Sequence, residues 1–260
     1  MHFLSLAMDV ILSLYICEEV IRFVPRYRRL KQEIAQGDPQ ARTRLYRNVL
    51  VFEWIGAFMA LVGLGFDWSK LNPRTLALEG TRIMQVFSIP AGETKEVIVG
   101  LAAGIVIGGI AFAIGLRRRN RRTAAQATSA SSGWRSRILP DFTALIPVTR
   151  RERLLYAAVA VSAGICEEVV FRGWLLATLH SRGGLTGTTL IVVAALIFGA
   201  GHLYQKATGV ILTALAGFLF CGLYIATGSL LVPILLHILV DIRFAFMPAS
   251  GAVKPQPAYA

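Results

Sequence analysis

The stretch Leu154–Leu179, LLYAAVAVSAGICEEVVFRGWLLATL, is an apolar run interrupted in its middle by Glu167, Glu168 and Arg172. An apolar run of about 20 residues is long enough to cross the hydrocarbon core of a bilayer as a helix. A charged side chain at that depth costs at least about 2.5–3.5 kcal/mol, even on the most lenient insertion scale. Three such side chains in one apolar helix therefore need partners, contact with water or a function.

The composition of the whole chain indicates a membrane protein with several spans. Of the 260 residues, 55% are hydrophobic, whereas soluble domains average about 45–50% apolar residues. The formal net charge is +12, but the basic residues cluster between apolar runs. This distribution favours a role in membrane topology and argues against a nucleic-acid partner.

About seven apolar segments are predicted to cross the membrane as helices, because an open strand in lipid leaves its backbone unsatisfied. Their approximate limits are Phe3–Phe23, Val49–Phe66, Val97–Leu116, Leu154–Leu179, Thr188–Tyr204, Thr208–Ala226 and Leu230–Phe246. The short links between the last three predict neighbouring antiparallel helices around the Leu154–Leu179 helix. The predicted fold class is all-α, a polytopic transmembrane bundle.

Basic residues between the apolar segments predict the orientation. Pro25–Arg47 holds seven Lys or Arg and Arg117–Arg153 holds ten, whereas Asp67–Glu96 holds four, balanced by four acids. Basic loops stay on the cytoplasmic side, so the first two stretches are expected inside. We expect an integral protein of the bacterial inner (plasma) membrane, in contact with membrane lipid.

The same pattern divides the chain into four predicted regions. They are three N-terminal membrane segments (1–116), a basic cytoplasmic linker (117–153), a helical core (154–247) and a disordered tail (248–260).

Polar and aromatic side chains recur four residues apart in three of the apolar segments: Glu168 with Arg172, Phe198 with His202, and His237 with Asp241. Residues at this spacing share one helix face, so Glu168 can pair with Arg172 and His237 with Asp241. Glu167 lies about 100° round the helix from Glu168, so the two carboxylates need not have the same function.

Together these residue types suit the activation of water. A desolvated carboxylate can take a proton from water near neutral pH, and a neighbouring histidine can orient that water. An arginine holds the second carboxylate ionised, and a second histidine supported by Asp241 can stabilise an oxyanion. The set is sufficient for hydrolysis of a peptide bond within or beside the membrane.

Three short stretches resemble the motifs of the CAAX protease and bacteriocin-processing family. They are EEVVFRGW at 167–174, FGAGH at 198–202 and HILVD at 237–241, which match Glu-Glu-x-x-x-Arg, Phe-x-x-x-His and His-x-x-x-Asn/Asp in order. The resemblance covers about Leu154 to Phe246 and gives no information on the residues before it. It implies that 154–247 is the catalytic helical core of an intramembrane endopeptidase acting on membrane-associated or lipidated proteins.

The resemblance also implies a role for each residue of the motifs. Glu167 is the general base, His202 its partner on the attacking water, His237 and Asp241 lie on the oxyanion side, and Glu168 and Arg172 form a structural pair. Eukaryotic prenyl-protein members carry Asn where this chain has Asp241. An ionised Asp cannot donate to an oxyanion, so Asp241 is either protonated or only orients His237.

Three alternatives remain open from the sequence. The first is a metalloendopeptidase in which Glu167, His202 and His237 hold a divalent ion such as zinc; otherwise no cofactor is expected. The second is a non-catalytic membrane scaffold or immunity protein of the same family. The third is a proton-coupled transporter, although the chain shows no inverted repeat and no matched pair of broken helices.

Overall fold

The structure, a computed structural model, describes residues 2–71 and 142–247. Four sequence predictions lie wholly or partly outside this part of the chain: the membrane segment Val97–Leu116, the loop Asp67–Glu96 beyond Leu71, the basic linker up to residue 141, and the tail 248–260.

The described residues form helices and no strands. In chain order the α-helices are α1 (His2–Ala35), α2 (Ala41–Gly63), α3 (Arg150–Glu168), α4 (Leu176–Ser181), α5 (Gly187–Ala200), α6 (Lys206–Thr227) and α7 (Leu231–Ile242). Four 3₁₀ turns accompany them: Trp68–Leu71, Thr143–Leu145, Leu203–Gln205 and Arg243–Phe246. The predicted all-α class is confirmed for the described ranges.

A π-helix, Val169–Leu175, joins α3 to α4 without a break. The predicted Leu154–Leu179 helix is therefore one helical rod, Arg150–Ser181, with wider turns directly after Glu168. Such π-helical turns are rare and occur frequently at functional sites.

Three helical stretches are long and apolar enough to cross a membrane by length and composition. They are Ala41–Gly63, Arg150–Ser181 and Leu203–Thr227, and Gly187–Ala200 is a shorter apolar helix. These stretches indicate an integral membrane protein. The predicted segment Phe3–Phe23 forms the first part of α1 and is not among the three, so the count of seven segments stays a prediction.

The basic stretch Pro25–Arg47 is not a loop, which corrects the boundaries predicted from hydropathy. α1 continues through Pro25 to Ala35, and α2 begins at Ala41 after a short turn containing Gly37. Hydropathy marks only the apolar part of a helix, whereas ion pairs one turn apart can carry the helix into the polar region.

Four charged side chains stabilise the turn between α1 and α2. Glu33 binds Arg29 at 2.8 Å and Arg44 at 2.9 Å, and Arg44 also binds Asp38 at 2.5 Å. Hydrogen bonds from Arg29 and Arg44 lower the pKa of Glu33, and the bond from Arg44 lowers the pKa of Asp38. The turn is thus an ion-paired link between two antiparallel helices.

The last three apolar helices pack beside one another and against the Arg150–Ser181 rod, as predicted. α7 packs on α3, and α5 packs chiefly on α6 and also contacts the π-helix and α4. A Cβ at Gly199 would lie 2.7 Å from Ala214 Cβ and 2.9 Å from the Val210 carbonyl oxygen. This glycine therefore permits the close approach of a second backbone, that of α6.

Close packing also holds α7 against α3. A Cβ at Gly164 would lie 2.4 Å from Ile238 Cγ1 and 3.0 Å from the Ile238 backbone nitrogen. Gly164 precedes Glu167 by about one turn, and Ile238 directly follows His237. This contact therefore sets the distance between α3, which carries Glu167, and α7, which carries His237.

The N-terminal helices are joined to the C-terminal helices by buried polar contacts. Asp9 Oδ1 accepts a hydrogen bond of 2.8 Å from Trp174 Nε1, and its Oδ2 pairs with Arg182. Near the start of α2, Arg42 Nε donates to the Ala144 carbonyl at 2.9 Å. Asp9, which interrupts the first apolar segment in the sequence, therefore fastens α1 to the π-helix and α4.

We predict that Asp9→Ala lowers the free energy of unfolding by about 1–3 kcal/mol, because it leaves the buried Trp174 indole N–H without an acceptor. Asp9→Asn keeps an acceptor oxygen but loses the charge facing Arg182, so its loss is smaller. Thermal unfolding of the purified chain in detergent measures both changes. Glu18→Gln, in an exposed ion pair with Arg22, is the control; a melting temperature of Asp9→Ala equal to the control contradicts the prediction.

Candidate active site

Glu168 lies at the centre of the cluster and is completely buried. Its Oε1 accepts hydrogen bonds from Arg172 Nη1 at 3.0 Å and from His237 Nδ1 at 2.8 Å. The spacing of the first motif correctly predicts the pair with Arg172. The second bond was not predicted, and it means that Glu168 also orients the histidine of the third motif.

Arg172, in the π-helix, is buried and its guanidinium group has several fixed contacts. It is 1% exposed, its Nη2 donates to the Gly217 carbonyl at 3.3 Å, and its guanidinium lies 4.4 Å from the centre of the Phe198 ring. The Phe198 of the second motif thus contacts the arginine of the first through a cation–π interaction. This contact gives the phenylalanine a physical role that the sequence did not show.

His237 faces three carboxylates. Its Nδ1 binds the buried Glu168, while its Nε2 lies 3.6 Å from Asp241 Oδ2 and 3.9 Å from Glu167 Oε2. A carboxylate only accepts hydrogen bonds, so the Nδ1 atom carries the proton in the contact with Glu168. Nε2 is consequently the atom that faces Glu167 and Asp241.

Glu167 and Glu168 occupy different environments, as their 100° separation predicts. The Glu167 side chain is 25% exposed, whereas that of Glu168 is 0% exposed. Glu167 lines a cavity, and Glu168 does not. The Oε2 atom of Glu167 is itself buried and, like Oε2 of Glu168, has no hydrogen-bond partner among the described residues. Of the two carboxylates, Glu167 is therefore the one that lies beside the cavity.

His202 lies directly after α5 and lines the same cavity as Glu167. Its Nδ1 is 3.1 Å from the Phe198 carbonyl oxygen. Because a carbonyl only accepts, Nδ1 donates this bond and Nε2 remains able to accept a proton or orient a water.

The cavity that joins these residues has a volume of about 210 Å³ and mostly apolar walls. Its walls come from α1, α2 and α3 and from the turn after α5. Its carboxylate and imidazole lining is Glu19, Glu53, Glu167, His202 and Asp241. The N-terminal helices, for which the motifs predict no function, therefore build one side of the cavity.

Glu53 is the site residue that the sequence analysis missed. It lies on α2, one of its oxygens accepts a hydrogen bond from the Ser162 hydroxyl, and its Oε2 is buried without a partner. A single acid in the apolar segment Val49–Phe66 was a usable signal, since an ionisable group within a membrane segment is a functional candidate by default. No motif spacing linked it to Glu167, because the two lie on separate helices.

The side chains do not converge as a metal site. Among the described residues, no group of three or more His, Cys, Asp or Glu side chains is placed to hold a metal ion. In the alternative set Glu167, His202 and His237, each histidine uses its Nδ1 in a hydrogen bond and keeps Nε2 free. A metal-binding histidine has the same arrangement, so these bonds do not decide between a metal and a metal-free site.

Residues 149–243 match the family model described as Rce1-like, type II CAAX prenyl endopeptidase Rce1-like. The match begins at the residue before α3 and ends just after α7, so it contains all three motifs. Over these residues the chain is similar to the CAAX protease family, and the resemblance inferred from the motifs is confirmed. The match supports endopeptidase activity at the level of the family. No curated protein and no solved structure matches the chain.

We predict that Glu168→Ala destabilises the protein more than Glu167→Ala. Removing Glu168 leaves Arg172 and His237 buried without their acceptor, and breaking a buried pair in this way costs about 3–5 kcal/mol. Glu167 makes no comparable bond, so its replacement has a small effect on unfolding. Thermal unfolding of both variants in the same detergent provides the measurement. Equal melting temperatures would show that the buried Glu168 contacts do not stabilise the fold.

Proposed function

We propose that the chain is an intramembrane endopeptidase in which Glu167 activates the attacking water. The observation that supports this proposal is that the two adjacent glutamates lie in different environments. Glu168 is sealed and fixes Arg172 and His237, whereas Glu167 faces the cavity beside His202. A structural role alone would give both carboxylates buried partners.

The first step is addition of water to the scissile carbonyl carbon. The Glu167 carboxylate takes a proton from the water, and His202 Nε2 orients it while Nδ1 stays bonded to the Phe198 carbonyl. The water oxygen forms the new C–O bond, and the carbonyl oxygen becomes an oxyanion. His237, held at Nδ1 by Glu168, donates from Nε2 to that oxyanion when it carries both protons.

The second step breaks the peptide C–N bond. The proton taken by Glu167 passes to the leaving nitrogen, the C=O bond reforms, and the nitrogen departs as an amine. The carbonyl carbon becomes a carboxylic acid, whose remaining proton passes to the amine to leave a carboxylate. The negative charge of Asp241, 3.6 Å from His237 Nε2, stabilises the doubly protonated imidazole and leaves the Nε2 proton for the oxyanion. This role agrees with the chemistry of an Asp at this position better than direct donation to the oxyanion does.

Glu53 is assigned to substrate binding. A peptide segment that enters an apolar cavity must satisfy its backbone N–H groups, because an unpaired buried donor is costly. Glu53 lines the cavity from α2, and its Oε2 is a buried oxygen without a partner that can accept such a bond once a segment packs against it. The remaining walls are largely aromatic and aliphatic, which suits membrane-associated or lipidated substrates.

The test of the function is cleavage of a pool of membrane-tethered peptides by the purified full chain. We expect Glu167→Gln to lower kcat/KM by about 10²–10⁴-fold, the usual contribution of a general base, without loss of folding. Glu18→Gln, an exposed carboxylate change on α1, is the matched control. A strong chelator is expected to leave the wild-type rate unchanged.

Each other outcome has a defined meaning. Loss of activity with chelator indicates a metal site despite the geometry. Full activity of Glu167→Gln overturns the assigned mechanism. A folded wild type that binds but never cleaves the peptides favours the scaffold alternative, and proton movement in sealed vesicles favours the transporter.

A second kinetic prediction concerns Glu53. Replacing it by Leu removes the acceptor and is expected to raise KM by about tenfold or more, with a smaller change in kcat. Glu53→Gln keeps an acceptor oxygen and should retain most of the wild-type KM. Steady-state kinetics on one cleaved peptide separates the two parameters. A large fall in kcat for Glu53→Gln at unchanged KM would instead indicate proton transfer by Glu53.

A further inference from the structure

A second cleft lies at the ends of α2 and α3, apart from the catalytic cavity. Its walls are formed by three arginines and two leucines: Arg47, Arg150, Arg151, Leu154 and Leu155. None of these residues lines the cavity that contains Glu167. The endopeptidase mechanism gives this cleft no role.

The fold brings the three arginines together from distant parts of the chain. Arg47 lies in the second turn of α2, and Arg150 and Arg151 are the first two residues of α3. Tyr46 OH donates a hydrogen bond of 2.7 Å to the Leu145 carbonyl, which fixes α2 beside the segment that leads into α3. The cluster is therefore built by tertiary contacts and is not a run of basic sequence.

The three guanidinium groups have no acidic partner within the described ranges. Arg47, Arg150 and Arg151 make no ion pair or hydrogen bond there, whereas Arg29 and Arg44 at the neighbouring turn are both paired. Like charges this close repel each other, so the cleft is stabilised when an anion enters it.

The nearest acid is already occupied. Glu152 is 4% exposed, and its Oε2 accepts the backbone N–H groups of Val148 at 2.7 Å and Thr149 at 2.9 Å. It belongs to a capping box that starts α3, so it does not neutralise the arginines.

The position of the cleft matches the level of lipid headgroups. Both helices that supply the arginines are among the stretches able to cross a membrane. Directly below the arginines the surface becomes apolar, with Leu154 66% exposed on α3 and Val51 61% exposed on α2. Guanidinium groups above exposed aliphatic side chains form an amphipathic surface of the kind that faces a headgroup and its acyl chain.

We propose that this cleft binds the phosphate of an anionic phospholipid, with an acyl chain lying along Leu154 and Leu155. A planar guanidinium group can donate to two phosphate oxygens at once. Three such groups carry more positive charge than one zwitterionic headgroup can neutralise. A free phosphate ion or a soluble acidic protein would contact the arginines but would not use the leucines. An anionic lipid accounts for both, because its phosphate binds the arginines and its acyl chain packs on the leucines.

The test is native mass spectrometry of the full chain in detergent, titrated with phosphatidylglycerol or phosphatidylcholine. The triple variant Arg47→Gln, Arg150→Gln and Arg151→Gln is expected to bind phosphatidylglycerol at least about tenfold more weakly than wild type. The control triple Arg22→Gln, Arg28→Gln and Lys31→Gln removes the same charge from α1 and should keep wild-type affinity. Phosphatidylcholine binding should not differ among the three proteins.

Several results would overturn the proposal. Equal losses in both triple variants would show that net charge, not the cleft, attracts the lipid. Displacement of phosphatidylglycerol by millimolar inorganic phosphate would identify a free-phosphate site, and saturable binding of an acidic peptide in its place would identify a protein surface. If the triple variant does not fold, the exposed single variant Arg47→Gln carries the test; it should bind at least about threefold more weakly, and unchanged affinity rejects the site.

Discussion

The site depends on one buried carboxylate oxygen, Oε1 of Glu168, which is shared by Arg172 and His237. A carboxylate sealed inside a membrane protein is tolerable only when its charge is compensated by close donors. That requirement ties the π-helix to α7 and fixes the ring of His237, so that Nε2 faces Asp241 and Glu167. The orientation of His237 towards Asp241 and Glu167 thus follows from the need to compensate the buried charge of Glu168.

The N-terminal helices belong to the site even though the family match begins at residue 149. They supply Glu53 and much of the apolar wall of the cavity, and Asp9 fastens them to Trp174 and Arg182. The three motifs lie within the matched residues, whereas this side of the cavity comes from a part of the chain that the family model does not cover. The motif residues and this wall of the cavity can therefore change independently in sequence.

The sequence was most informative where the interacting residues lie one turn apart on the same helix. The pair Glu168–Arg172 and the different exposure of Glu167 both follow from helical geometry, and the structure contains both. The bond between Glu168 and His237 and the placement of Glu53 join separate helices, so no local period could predict them. The extension of α1 to Ala35 was missed because hydropathy records only apolar content, while ion pairs stabilise that part of the helix.

The π-helix gives the segment after Glu168 an unusual response to a change in chain length. Its wider turns hold more residues than an α-helix of the same rise, and a one-residue deletion within Val169–Leu175 would allow ordinary α-helical turns. In an α-helix each residue removed rotates everything that follows by about 100°, but here the closing of the wider turns offsets most of that rotation. A one-residue deletion before Arg172 would therefore leave the helix after Leu175 on nearly its present face. It would, however, bring Arg172 from a four-residue to a three-residue spacing from Glu168.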